Sequence, residues 1–325
     1  MTKKTVAAID LGTNSCRLLI ADLNGKSLYK NAISTRMGEG MSLANRFTPE
    51  AITRGIECFC TFKRLMDEHN VVAYRTIGTA ACRMAENGEE FVKKVKSNSG
   101  IELEVINGYD EAVLNLQGAL LNLQQEKAEY VLVYDLGGGS TEITLATHSK
   151  KPQILHTISI PWGARNASEK FDLHEFDAQK AGRLAAEIGC YTQKFIHESG
   201  LEKYRDRVCF CATSSTPLRL THLARGWEPY DRSRADGVKI ATEDLDAAIA
   251  GVQRLSLSEM AENACIGPAR AEIFNAAGVI FGKIYHDLGA KEMVVSLKSA
   301  VDSMVNDLCE RKRHEQNSLC QGHWR

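Results

Sequence analysis

Ile9-Asp10-Leu11-Gly12-Thr13-Asn14-Ser15 returns 125 positions later as Tyr134-Asp135-Leu136-Gly137-Gly138-Gly139-Ser140. Asp10 aligns with Asp135, Leu11 with Leu136, Gly12 with Gly137 and Ser15 with Ser140. Each copy follows a short apolar run (Val6 to Ile9; Val131 to Tyr134) and leads into another (Leu18 to Ala21; Ile143 to Ala146). The pattern predicts strand, tight turn, strand, with a carboxylate at the end of the incoming strand. Glycine in such a turn lets backbone N–H groups approach an anion without a Cβ in the way, and Ser and Thr hydroxyls add donors. Two hairpins of this kind, each with its own acid, point to two facing domains that hold a phosphorylated ligand between them.

The pair of hairpins resembles the mark of the actin, Hsp70 and sugar-kinase superfamily. One branch is closer. Ala8-Ile9-Asp10-Leu11-Gly12-Thr13-Asn14-Ser15-Cys16-Arg17-Leu18-Leu19 and Asp135-Leu136-Gly137-Gly138-Gly139-Ser140-Thr141-Glu142 are similar to the two phosphate loops of the exopolyphosphatase and guanosine pentaphosphate phosphatase family. Further blocks follow in the family's order: Arg36-Met37-Gly38-Glu39-Gly40, Gly78-Thr79-Ala80-Ala81-Cys82-Arg83, Ile106-Asn107-Gly108-Tyr109-Asp110-Glu111-Ala112 and Pro161-Trp162-Gly163-Ala164-Arg165. A single D-L-G match means little, but six ordered blocks are hard to obtain by chance. The resemblance fades after Gly278.

The fold it implies is α/β: two actin-like, ribonuclease H-like domains with mixed five-stranded sheets flanked by helices, and the active site in the interdomain cleft. Residues 1–126 would form the first domain and 127–297 the second, with a helix over about 298–325 packing back on the first. Longer family members continue into an all-helical C-terminal domain, so this chain reads as a short form with a weaker grip on long chains. A homodimer is implied in the same way.

Composition is ordinary for a globular chain of 325 residues, with 44% hydrophobic and 25% charged residues. A net charge of −1 argues against a general grip on nucleic acid, so a polyanion needs a local basic patch. Lys3 and Lys4 lead directly into a strand rather than an apolar signal segment, and no run approaches the roughly 20 residues that span a bilayer. No membrane association is expected. Ten cysteines include Cys58/Cys60 and Cys209/Cys211 but no C-x-x-C, a pattern expected of reduced core thiols in a cytoplasmic protein rather than of a zinc site.

Thr48-Pro49-Glu50 signals a helix start, with the helix running to about His69. Strands are expected at 71–78, 101–106, 131–134, 142–147, 154–160, 208–212 and 294–296, and helices at 85–96, 110–123, 175–199, 242–255, 269–288 and 298–312.

Hydrolysis of a phosphoanhydride needs charge neutralisation, in-line positioning and an activated water. The turns supply donors through Thr13, Asn14, Ser15, Gly137, Gly138, Gly139, Ser140 and Thr141. Mg²⁺ takes one or two carboxylates plus waters and phosphate oxygens, which suits Asp10 and Asp135 across a cleft. Alone, each acid could equally cap its turn. The resemblance implies that Asp135 and Glu142 are required for activity and that Glu111 is the general base. Residue chemistry by itself would also allow Glu111 as an acid favoured by its helix dipole. The resemblance further implies that Arg83 and Arg270 face phosphate, where the guanidinium fork suits bidentate contacts. Arg17 and Arg165 are weaker candidates.

Two departures bear on substrate. Ala212-Thr213-Ser214-Ser215-Thr216-Pro217 stands where the family has a glycine-rich loop that lies near adenosine in nucleotide-binding relatives; the added side chains narrow that approach. Ser299, Val301 and Ser303 replace the usual Gly, Arg and Gly. Trp227 to Arg234, mixing aromatics with arginines, could line a polyanion path; Lys93, Lys94, Lys96 and Arg311-Lys312-Arg313 read as solvated helix ends. The expected activity is therefore Mg²⁺-dependent release of orthophosphate from inorganic polyphosphate. The alternatives are removal of the 5′ terminal phosphate of guanosine pentaphosphate, a stringent-response activity, and a non-catalytic polyphosphate or nucleotide sensor.

Overall fold

The first repeat folds as a hairpin. β1 (Thr5–Leu11) and β2 (Cys16–Asp22) pair antiparallel from Leu11–Cys16 at the turn to Thr5–Asp22 at the far end. β3 (Ser27–Ile33) extends the meander. Helix α1 (Pro49–Glu68) starts where Thr48 accepts a hydrogen bond from the Ala51 amide at 3.1 Å, then feeds β4 (Val71–Gly78), which lies parallel to β1. The short helices α2 (Ala80–Met84) and α3 (Gly88–Ser99) stand where one helix from 85 was expected, and β5 shrinks to Glu104–Val105. The first sheet has the order β3-β2-β1-β4-β5.

The computed structural model describes residues 4–41, 45–123, 126–149 and 152–321. Helix α4 (Gly108–Leu120) crosses to the second repeat, where β6 (Tyr130–Leu136), β7 (Thr141–Thr147) and β8 (Ile154–Ile160) form the same meander. After it come α5 (Ala164–Phe171), α6 (Ala178–Ser199), β9 (Val208–Thr213), α7 (Ser215–Arg225), β10 (Val238–Ala241), α8 (Thr242–Val252), α9 (Leu257–Glu262), α10 (Pro268–Asp287), β11 (Glu292–Val295) and α11 (Ala300–Gln321). The second sheet has six strands, β10-β11-β9-β6-β7-β8, not five. The extra strand is β10, a four-residue edge strand antiparallel to β11; its Val-Lys-Ile-Ala is too short to register as a periodic run.

β1 is buried along its whole length because both faces of its sheet are covered. Ile9 and Leu11 pack with Phe59, Phe62 and Phe91 beneath α1 and α3, each fully buried ring worth roughly 1.5–3 kcal/mol. Val6 and Ala8 point the other way, into a cluster with Leu114 of α4 and Val301, Met304 and Val305 of α11. On the same helix α4, Leu116 and Ala119 join Val131 and Val133 of the second sheet. Helix α4 is thus wedged between the two sheets. At Gly118 it passes close to the start of α11, and a Cβ there would sit 2.3 Å from the carbonyl oxygen of Ser299, the residue before that helix.

Candidate functional site

Both hairpins turn through the same bond: the Gly12 N–H donates to the Ser15 carbonyl at 3.0 Å, and Gly137 to Ser140 at 2.9 Å. The two turns meet at the mouth of the interlobe cleft. A Cβ on Gly139 would lie 2.6 Å from Thr13 Oγ1, and one on Gly138 would lie 3.0 Å from Thr13 Cβ, so the glycines permit the approach. The carbonyls of the second turn are occupied from behind. Ala164 N–H donates to Gly137 (2.9 Å), Arg165 N–H to Gly138 (2.8 Å) and Asn166 Nδ2 to Gly139 (3.0 Å). In a trans peptide the N–H opposes the C=O, so the amides of Gly138, Gly139 and Ser140 point away from α5. Helix α5, which sequence periodicity missed, spends its own unpaired N-terminal donors on this orientation. Gly163, its N-cap, has no room for a Cβ, which would sit 2.5 Å from the Gly138 carbonyl carbon.

Four carboxylates approach this space. Asp10 faces Arg17 across the hairpin at 3.6 Å, and burial with Asp135 nearby pushes its carboxyl up while Arg17 opposes the shift. Asp135 accepts from Thr213 Oγ1 at 2.9 Å and from Asn115 Nδ2 at 2.8 Å, one bond to each oxygen. Glu142 sits directly opposite Asp135 in the β6–β7 pairing. It accepts from Ser159 Oγ at 2.8 Å on Oε1, while Oε2 is buried with no partner; burial, then the charges of Glu111 and Asp135, drive its carboxyl well above the ordinary range. Glu111 lies in the first turn of α4, whose N-cap Asn107 accepts from Asp110 N at 2.8 Å. Burial raises its pKa to about 7, against the opposing pull of Arg83 and with help from Asp10 and Asp135.

The arginines divide. Arg17 and Arg270 line the cleft, and Arg270, half-buried at the start of α10, is pushed down to about 9 by burial and by Arg219, Arg17 and Arg165. Arg83 instead donates to Glu111 Oε2 at 2.6 Å and to the Ile106 carbonyl at 3.0 Å, so its guanidinium sits on the acid rather than among the turns. Arg165 grips Asn14 Oδ1 through Nε (3.0 Å) and Nη2 (2.7 Å), a clasp between the lobes. Thr13, Asn14, Ser15, Gly137, Gly138, Gly139 and Ser140 all line the cleft. Thr141 does not: its hydroxyl donates to the Trp162 carbonyl at 2.8 Å, because strand alternation turns it away from the turn's mouth. Asn115, Thr213 and Ser159, the braces of Asp135 and Glu142, were not singled out from sequence. Asn115 had a signal, lying four residues after Glu111 on one helix face.

The sequence pattern of the Ppx/GppA phosphatase family matches residues 20–309. The chain belongs to this family. It is 33% identical over 304 residues to the bifunctional 3-dehydroquinate synthase/phosphatase of Fusobacterium nucleatum, a match that spans 89% of this chain but 44% of that protein. It is 28% identical over 329 residues to exopolyphosphatase 2 of Mycobacterium tuberculosis, covering 95% of this chain and 99% of the other. Among solved structures, an exopolyphosphatase-like protein superposes with a TM-score of 0.87 at 26% identity, over 94% of this chain and 99% of the other. Two mixed sheets with opposed hairpins are therefore an actin-like Ppx/GppA architecture, and the chain is a phosphoanhydride hydrolase by family.

Within this Ppx/GppA chain the loop after β9 takes an unusual form. Ser214 has φ 86°, a left-handed conformation costing on the order of 1–3 kcal/mol outside glycine, and its Oγ is buried without a partner. The positive φ is thus kept without a glycine. Among the described residues no group of three or more His, Cys, Asp or Glu is arranged to hold a metal, and no helix is long and apolar enough to cross a membrane.

Proposed function

We propose that this chain is an exopolyphosphatase that hydrolyses the terminal phosphoanhydride of inorganic polyphosphate at the cleft between the hairpins. One observation carries the reading: an acid held near neutral pKa, Glu111, shares a cleft with two opposed, glycine-lined turns. Exopolyphosphatase 2, similar over nearly its whole length, supports the substrate class.

In this reading the terminal phosphoryl group lies among the turn amides and the hydroxyls of Thr13, Ser15 and Ser140, with Arg270 and Arg17 offsetting its charge. A water beside Glu111 gives its proton to Oε1, the oxygen left free by Arg83, as its oxygen bonds to phosphorus in line with the bridging oxygen. The bridging P–O bond breaks, the shortened chain keeps the electron pair, and orthophosphate leaves. Glu142 and its partner Ser159 lie behind this geometry, with Glu142 directly opposite Asp135 in the β6–β7 pairing.

Asp10 and Asp135 suit Mg²⁺: two hard oxygen donors, the Asp10 carboxyl raised by burial and then by the charge of Asp135, and too few to form a protein-only cage. When bound, the ion supplies neutralisation of the phosphate oxygens. The nine described cysteines are unpaired, in keeping with a cytoplasmic protein, and a homodimer is carried over from the resemblance.

Guanosine pentaphosphate offers the same terminal anhydride, but the side chains of Ser214 and Ser215 crowd the loop a nucleoside would approach, while Ala212, expected to do the same, lies buried within β9. A sensor would not need an acid tuned to about 7. The test is orthophosphate release from linear polyphosphate with and without EDTA, and with Asp135→Ala. Chelation and the substitution should each abolish turnover; an EDTA-resistant wild-type rate defeats the metal assignment.

A further inference from the structure

Arg165 is 3% exposed and does not line the cleft, yet it bears on both glycine-lined turns. Its backbone N–H donates to the Gly138 carbonyl of the second turn at 2.8 Å. Its side chain reaches into the other lobe, where Nε and Nη2 both close on Asn14 Oδ1 of the first turn, at 3.0 and 2.7 Å. A buried guanidinium is costly to hold, and a carboxylate is its usual partner. Here both nearby acids stand back: Glu169 and Glu272 lie 3.9 Å from Nη1, and Glu272 is shared with Arg36 at 3.8 Å. The close contacts go to a neutral amide instead.

The consequence lies at the other end of that amide. Arginine carries donors only, so the atom it grips is the Asn14 oxygen, and Nδ2 is turned the other way. Asn14 lines the cleft; among the described residues its Nδ2 has no acceptor, and that atom is not sealed from solvent. The backbone of Asn14 is fixed from within its own lobe, by the Arg36 N–H on its carbonyl at 3.1 Å. What remains to be set is the rotation of the side-chain amide. Left alone, an amide offers either its oxygen, which repels a phosphate, or its nitrogen, which donates to one. The two N–H groups of Arg165 select the second arrangement.

We propose that Arg165 is a positioning residue: it sets the Asn14 amide so that Nδ2 donates to the terminal phosphoryl group, while its own backbone N–H helps aim the amides of the second turn at the same group. The inference rests on the polyphosphate reading above. It also ties substrate binding to this arrangement of the lobes, because Asn14 keeps its polarity only while Arg165 of the second lobe holds it.

The test is calorimetric binding of tripolyphosphate to the full chain carrying Glu111→Gln, so that binding is read apart from turnover, with a melting curve for each variant. Asn14→Asp keeps an oxygen for Arg165 and makes the contact an ion pair, but puts an acceptor where Nδ2 was. It should melt no lower than the parent and bind at least about tenfold more weakly. A residue that only clasped the lobes would leave binding intact in that variant. Arg165→Met, which fills the space without a donor, should weaken binding about five- to tenfold, and Arg165→Lys, a donor-only group without the fork, should recover part of the loss. In an Asn14→Ala background Arg165→Met should cost less than about twofold, since no amide remains to be set. Binding by Asn14→Asp within about twofold of the parent overturns the proposal, as does an Arg165→Met cost that is the same with and without Asn14. If Arg165→Met does not fold, Asn14→Asp and Arg165→Lys decide the question. A wild type that releases no phosphate from polyphosphate, with the binding pattern intact, would keep Arg165 in this role and defeat the catalytic reading instead.

Discussion

Glu111 is defined by an imbalance between burial, which favours its neutral form, and one guanidinium that favours the charged form. The balance sits at about 7. In the proposed role of base it works ionised, so kcat/KM should rise with pH up to about 7 and level above it; Glu111→Gln should remove that limb and lower kcat by on the order of 10²–10⁴ with substrate binding kept. Activity within threefold of wild type would take Glu111 out of the role. The same shift has a stability sign. A carboxyl whose folded value lies above its ordinary 4.5 stabilises the fold below that value and loses this as pH rises through 7. The melting temperature of Glu111→Gln relative to wild type should therefore climb between pH 4.5 and 7. A gap that stays flat over that range would show the acid to be unperturbed. Asp10, Asp135 and Glu111 were legible because hairpin repetition and motif mark them. The inward turn of Arg83 onto Glu111 was not, because motif matching gives identity without the direction of a flexible side chain.

Among elements, the hairpins could be read from apolar runs broken by glycine, and α1 from its Thr-Pro-Glu start. Helix α5 could not, since Ala164–Phe171 has little apolar periodicity and is held by its bonds to the second turn rather than by a hydrophobic stripe. That dependence is testable with paired glycines. Gly163→Ala would drive a Cβ to 2.5 Å from hairpin backbone that cannot yield cheaply. It should destabilise by about 1–3 kcal/mol, as overpacking does, and cut phosphate release at least as far. Gly182→Ala, on an exposed turn of α6 with nothing within 4 Å, should stabilise by roughly 0.5–1 kcal/mol. Chemical denaturation of both variants decides it; a neutral Gly163→Ala would mean that α5 does not set the turn.

At the scale of the whole molecule, the lobes are joined by a buried wedge and a polar clasp. Helix α4 fills the space between the sheets, with α11 packed against it and the first sheet, and Arg165 of the second lobe holds Asn14 of the first hairpin. The two-sheet plan was legible in the repeat; the wedge was not, because α4 must serve two cores at once and shows only a broad apolar face. The same assembly brings Ser214 and Ser215 of the loop after β9 to one side of the cleft with Arg17, Arg219, Arg232 and Arg270, an arrangement suited to a linear polyanion more than to a nucleoside, whose base edge needs a shaped polar pocket. The most direct measurement is kcat/KM for orthophosphate release from linear polyphosphate and from guanosine pentaphosphate, side by side at equal Mg²⁺ and ionic strength, since polyanion binding weakens with salt. A higher value on polyphosphate is the result predicted here; a higher value on guanosine pentaphosphate would contradict it.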